Sequence, residues 1–373
     1  MKVLYLSKYS SIGPSSRYRI YQYLPYLAKY GIEVDIRPLL KDAYFKIIEI
    51  DNLTLKNLLK TFYALYRYLI RLFDIFKAGR YEFVVIEQQA FPYLPFFLDY
   101  IVRILNKNII LEFDDAIYLT HPRKMPKMIK MSKMVIVGNN LLRDYAIKFN
   151  QNVKVVPTVI DMRRYSPPLI PIPQKAIPSP LVGEGKGEGD RIIICWIGLA
   201  YNIHYLRQLS EVFKRLSTKY KIVLKIISNK AIKIDGIDVI FKRWSYETEV
   251  EELQGSHIGI MPLADDEWAR GKCGLKLLQY MAAGIPSVAS PVGVNKEIIS
   301  DGVNGFLALS EDEWYKRLLK LCNDPELRRR MGDAGRKTVE GEYSIDIWAP
   351  KLAEIYKTTA SPSPLAGEGR GEG

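Results

Sequence analysis

Short apolar, β-branched runs recur along this chain with amphipathic stretches between them. KVLYLS, IEVDI, FVVIEQ, NIILEF, MVIVGN and VKVVPT succeed one another in the first half, and IIICWIG, VLKIIS, IDVIF, IGIMPL and PSVAS in the second. Runs that are apolar at nearly every position predict strands buried on both faces, and helical segments between them predict parallel connections. The expected fold class is α/β, with two Rossmann-like doubly wound domains.

Between the two series, Ser166 to Asp190 reads SPPLIPIPQKAIPSPLVGEGKGEGD, where prolines and alternating glycines deny both helix and strand. Its PSPLVGEGKGEG is nearly repeated as PSPLAGEGRGEG at the C-terminus, and neither copy has the apolar positions a repeating fold unit needs. The expected organisation is a domain over 1–165, a disordered Pro/Gly-rich linker over 166–190, a second domain over 191–345, a helix over 346–360 and a disordered tail over 361–373.

One helix stands out. From Leu53 to Arg80, Lys56, Lys60, Arg67 and Arg71 fall on one narrow stripe at about 100° per residue, while Leu58, Phe62, Leu65, Leu69, Leu72 and Phe76 face away. The pattern predicts an apolar face packed on the domain and a basic face turned outward, available to an anionic membrane surface.

Charge reinforces that reading. Residues 1–168 hold 26 Lys+Arg against 14 Asp+Glu, so +12 of the formal net charge of +13 lies there. A field of this kind attracts nucleic acid, anionic lipid or an acidic polymer. No reading helix, zinc spacing or stacking motif accompanies it, so no specific nucleic-acid partner is expected. The three cysteines, Cys195, Cys273 and Cys322, are far apart, and the three histidines are scattered, which suggests neither disulfides nor a metal site. The N-terminal KVLYLS reads as a buried strand rather than a leader, and no apolar run reaches membrane-spanning length. A cytoplasmic protein, peripheral on the inner face of a membrane, is the expectation.

Candidate chemistry gathers after IGIMPL, in ADDEWARGKCGLKLLQYMAAGIPSVASPVGVNKEIISDGVNGFL. A small-residue loop opening a helix at the carboxyl end of a parallel strand presents unpaired N–H groups where phosphates bind. Lys272 and Lys276 flank this loop, and two cations suit a diphosphate. Simple solvated lysines in an ordinary turn are the alternative.

The full order of residues resembles glycosyltransferase family 4, the group 1 glycosyltransferases. MAAGIPSVAS is similar to the family's MAxGxPVVAS, PVGVNKEII to its GGxxExI turn, and DGVNGFL to its DGxNGxL loop. SIGPSSRYRIYQYLPYLAKYGIEVDI resembles the family's first glycine loop and helix, and LEFDDAIYL its acidic segment. The resemblance implies the GT-B architecture, two Rossmann-like domains facing across a cleft, with the nucleotide-sugar bound mainly by the second domain and the acceptor by the first. The last helix then crosses back to the first domain.

It also implies retaining transfer of a sugar to a lipid-linked or polysaccharide acceptor, with no cofactor and no obligatory metal. Carried onto this sequence, the implied catalytic residues are His121, Asp115 and Lys276. The implied donor contacts are Gly13, Arg17, Gly198, Lys272, Lys276, Gln279 and Gly293. The family's paired glutamates are replaced by Gly271 and Gln279; a non-catalytic GT-B binding module or assembly partner is therefore the alternative function.

Overall fold

A computed structural model describes residues 1–165 and 191–360, so the segments read as linker and tail lie outside the described residues. Contacts divide the described chain into two units, 1–158 with 346–360, and 159–165 with 191–345.

In the first unit, β1 (Lys2–Leu6), β2 (Glu33–Ile36), β3 (Phe83–Glu87), β4 (Ile109–Phe113), β5 (Met134–Val137) and β6 (Val153–Val155) form one sheet in the order β2-β1-β3-β4-β5-β6. All its pairings are parallel, with Val3 opposite Phe83 and Ile86 opposite Leu111. β3 and β4 are buried at every position, which is why FVVIE and IILEF show no alternation. The helix Ile345–Ala360 packs on this sheet: Tyr356 meets Phe83 edge-on at 5.2 Å, and the Thr359 carbonyl accepts from Lys133 Nζ at 2.6 Å.

The second unit repeats the plan. β7 (Arg191–Ile197), β8 (Lys221–Ser228), β9 (Asp238–Arg243), β10 (Ile258–Met261), β11 (Ser287–Ala289) and β12 (Phe306–Leu307) lie in the order β12-β11-β10-β7-β8-β9, again all parallel. Trp196, Phe213, Phe306 and Trp314 fill its core. The two-residue β12, inside DGVNGFL, is too short to leave a periodic trace in the sequence. Each sheet reverses its strand order once, between β1 and β3 and between β7 and β10, and doubly wound folds place ligands outside the carboxyl ends of strands at such a point.

The long helix departs from expectation. It runs Leu53–Ile75, with a separate 3-10 turn over Ala78–Arg80, and it is docked by its basic arc. Arg67 and Arg71 are buried, so neither is placed to meet a membrane. Arg67 donates to the Leu39 and Pro38 carbonyls at 2.7 and 2.6 Å, and Arg71 to the Ser7 carbonyl at 2.7 Å. Burial pulls the Arg71 guanidinium down to about 10. Carbonyls just past the ends of β1 and β2 select this arc, and Lys56 and Lys60 remain half-exposed about three and two turns before Arg67. Among the described residues, no helix is long and apolar enough to cross a membrane.

Candidate functional site

At the reversal point of the second unit, the side chain of Tyr280 locks a helix onto the sheet. Its hydroxyl accepts from the Ile197 N–H of β7 and donates to the Ile260 carbonyl of β10, both at 3.1 Å. The ring fits because Gly259 has no Cβ, which would stand 2.4 Å from it. The helix so held, Leu275–Ala282, begins at Gly274 in the left-handed region (φ 70°), where a side chain would also collide with Ile298. Its first turn therefore begins without a capping side chain, beside the ends of the two central strands.

The loop before it is built by Asp266, whose Oδ1 accepts from the Ala269 N–H at 2.7 Å and starts the short helix Glu267–Arg270. Lys272 follows, its Nζ 5.7 Å from the centre of the Trp268 ring. Lys276, on the first turn of the next helix, lies over the Trp196 indole at 5.5 Å. Gly198 completes this corner, since a Cβ there would fall 2.8 Å from the Trp196 ring and 3.1 Å from Lys276 Cε. Gly198, Trp196 and Lys276 are thus one cluster drawn from β7, the turn after it and a helix some eighty residues on. Gly293 (φ 53°) brings the turn after β11 against the Arg270 carbonyl, 2.5 Å from where a Cβ would be. Gly271 closes the Glu267–Arg270 helix, and Gln279 is buried on the Leu275–Ala282 helix.

In the first unit the corresponding ends of β1, β3 and β4 carry a buried polar cluster. The glycine loop is compact: the Gly13 N–H donates to Ser10 O, and Tyr9 lies where a Gly13 Cβ would be. The helix it opens, Pro14–Arg19, faces inward. Ser15 Oγ donates to the Asp114 carboxylate at 2.9 Å, and Ser16 Oγ to Glu87 at 2.7 Å. Arg17 is buried and turned into the loop, donating to Ser11 O and Ile12 O at 3.3 and 3.0 Å. Arg19 forms a buried ion pair with Glu112 at 2.6 Å and donates to the Val156 carbonyl. Both arginines are parts of the scaffold.

Glu87 was not among the sequence candidates. It is wholly buried, and desolvation raises its carboxyl to about 7 in spite of the hydrogen bond from Ser16. Its sequence trace is a single acid closing an otherwise apolar strand. Gln88 follows with φ 61° and accepts from Lys8 Nζ at 3.0 Å.

Asp115 is half-buried beside Asp114, and its carbonyl accepts from the Ile117 N–H at 2.7 Å. His121 lies 5.4 Å from the Tyr93 ring, with Nδ1 2.8 Å from Thr120 Oγ1. Burial, then Lys124, then Lys8 lower its pKa against a hydrogen bond with Ile117 that raises it, which favours the neutral imidazole. Gly13, Arg17, Asp115 and His121 thus belong to the first unit, and Gly198, Lys272, Lys276, Gln279 and Gly293 to the second. Among the described residues, no group of three His, Cys, Asp or Glu is arranged to hold a metal ion.

Residues 191–324, which carry the second unit's site, match the family model described as "Glycosyl transferases group 1". EpsD of Bacillus subtilis (strain 168) is 38% identical over 128 residues, 30% of this chain and 33% of that protein. The GDP-mannose-dependent monoacylated alpha-(1-6)-phosphatidylinositol monomannoside mannosyltransferase of Corynebacterium glutamicum is 29% identical over 119 residues, 31% of each chain. The chain thus spans about a third of the length of these curated relatives. Among solved structures, Anabaena Alr3699/HepE in complex with UDP and glucose superposes with a TM-score of 0.68 at 14% identity, over 96% of this chain and 100% of that one. The fold is that of the GT-B glycosyltransferases, built from two Rossmann-like units.

Proposed function

We propose that this chain is a retaining glycosyltransferase of the family 4 type, moving a sugar from a nucleotide-sugar donor to an acceptor without an obligatory metal or cofactor. The observation that carries the reading is the corner made by Gly198, Trp196 and Lys276 at the reversal point of the second sheet, inside the segment that matches the group 1 model. A cation fixed over an indole face, beside a glycine and the N-terminal turn of a helix, suits the diphosphate of a leaving nucleotide.

When the bond from the anomeric carbon to the diphosphate oxygen breaks, negative charge accumulates on that oxygen. Lys276, Lys272 and the first N–H groups of the Leu275–Ala282 helix supply positive potential there without reorganising, which stabilises the transition state more than the ground state. Gly293 keeps the neighbouring turn close, and Gln279 stands where the resemblance places one of the paired glutamates, its amide able to bond a ribose hydroxyl. In the first unit, neutral His121 accepts a proton from the acceptor hydroxyl or positions it, and Asp115 borders the same end of the sheet.

A lipid-linked or polysaccharide acceptor on the cytoplasmic side of a membrane fits best, in keeping with the lipid named for the Corynebacterium relative. Arg17 enters this scheme only by shaping the Gly13 loop.

The test is a thermal-shift screen of the full chain against UDP-, GDP-, ADP- and dTDP-sugars, with the matching nucleoside diphosphates. One nucleotide family is expected to raise Tm, and Lys276→Ala to abolish the shift. No shift with any of them would overturn the reading.

A further inference from the structure

The Leu53–Ile75 helix presents its apolar arc to solvent. Phe62 is 63% exposed, Leu65 55%, Leu69 58% and Phe73 71%. At about 100° per residue these four fall within an arc of about 80°, opposite Arg67 and Arg71. The Phe96–Leu105 helix packs beside it and widens the surface with Phe97 and Ile104, both exposed. Tyr66 and Tyr100 stand on the same surface, an apolar ring with a polar tip that suits a wet boundary.

The exposed charge on the helices that form this surface has one sign, and the nearest exposed acids, Glu49 and Asp51, precede Leu53. The helix Met125–Met131 packs against the Phe96–Leu105 helix, exposes Lys127 and Lys130, and places Lys127 Nζ 5.8 Å from the centre of the Phe96 ring. The only acids on these three helices, Asp74 and Asp99, are buried, and Asp99 is bound by Lys124 at 2.6 Å. Every charge the three helices leave at the surface is positive: Lys56, Lys60, Arg103, Lys127 and Lys130.

An apolar arc bordered by cations chooses its occupant. A second copy of this chain would set positive charge against positive charge. A nucleic acid would meet leucines and phenylalanines where it needs cations along its backbone. An anionic bilayer surface satisfies both features, taking the apolar side chains into the boundary of headgroups and acyl chains and the lysines among the phosphates.

We propose that this face of the first unit is a membrane-docking surface, with the Leu53–Ile75 and Phe96–Leu105 helices lying in the interface of an anionic bilayer. The apolar arc enters and the lysines flank it, which reverses the orientation that the sequence pattern suggests. The inference is independent of the sugar-transfer reading, because docking is measured without a donor.

The experiment is vesicle flotation of the full chain, with phosphatidylcholine alone and with about 30% phosphatidylglycerol added. The protein is expected to partition onto the anionic vesicles about tenfold or more above the neutral ones. Leu65→Asp with Leu69→Asp is expected to reduce that partitioning about tenfold with Tm unchanged, both side chains being exposed. Lys127→Glu with Lys130→Glu is expected to weaken it and flatten its salt dependence. Should the leucine pair melt early, Phe73→Ser makes the same comparison. Equal binding to both vesicles, undiminished binding by the leucine pair, or a wild-type dimer that the leucine pair makes monomeric would each overturn the proposal.

Discussion

Replacing Glu87 by Gln tests whether a carboxylate is held buried under the glycine loop. Glu87 is wholly buried, receives Ser16 Oγ at 2.7 Å and the Lys8 N–H at 3.1 Å, and is shifted from an ordinary 4.5 to about 7. Desolvation is the main cause, and Asp114 and Glu112 nearby raise it further. Between pH 4.5 and 7 the folded chain binds more protons at this group than the unfolded chain does, so stability falls as pH rises through that window. Two and a half units correspond to about 3 kcal/mol in full, and roughly 2.5 kcal/mol of it develops between pH 5 and pH 8. Glutamine keeps an acceptor for Ser16 or Lys8 and carries no charge.

Urea unfolding at pH 5 and pH 8, at constant ionic strength, separates this effect from any general one. The stability of Glu87→Gln minus that of the wild type is expected to become more favourable to the variant by about 2 to 3 kcal/mol from pH 5 to pH 8. Groups titrating alike in both proteins cancel in the difference. A difference that stays constant between those pH values would refute the buried-carboxylate account.

Three further outcomes follow from the same geometry. Arg19→Ala leaves Glu112 buried without its 2.6 Å partner and is expected to cost about 3 to 5 kcal/mol, less at pH 5 than at pH 8 because protonation relieves the carboxylate; denaturant melts at both pH values check it. Gly293→Ala combines φ 53° with a Cβ 2.5 Å from the Arg270 carbonyl, so a loss of about 3 kcal/mol is expected by thermal melting, together with weaker nucleotide binding by calorimetry. Gly198→Ala presses on the buried Trp196 ring and on Lys276, so its nucleotide affinity is expected to fall about tenfold and its Tm to drop as well; calorimetry and a melt decide it.

The strands were legible because FVVIE, IILEF and RIIICWI are apolar enough to permit only burial in a covered parallel sheet. The frame of the second site was legible too, because Gly274, Gly284 and Gly293 mark positions whose positive φ few other residues tolerate. The helix at Leu53–Ile75 was found, but its orientation was read backwards. Periodicity reveals two opposite arcs and does not say which one the fold needs; the carbonyls of Ser7, Pro38 and Leu39 decide that, and they come from distant loops.

Glu87 escaped for a similar reason. One acid at the end of an apolar strand looks unremarkable until Ser16, Asp114 and Glu112 are brought around it. The same holds for the indole under Lys276, since Trp196 lies far from it in sequence and the two meet only once β7 pairs with β10 and Tyr280 holds the helix on both strands.

The central claim concerns Lys276 and a departing diphosphate, and release of nucleoside diphosphate in the presence of a lipid extract measures it most directly. With the donor identified by thermal shift, the wild type is expected to release nucleotide in an acceptor-dependent manner. Lys276→Ala is expected to reduce kcat by about 100-fold or more with its melt unchanged. Wild-type rates from Lys276→Ala, or no acceptor-dependent release by the wild type with any donor that binds, would contradict the account.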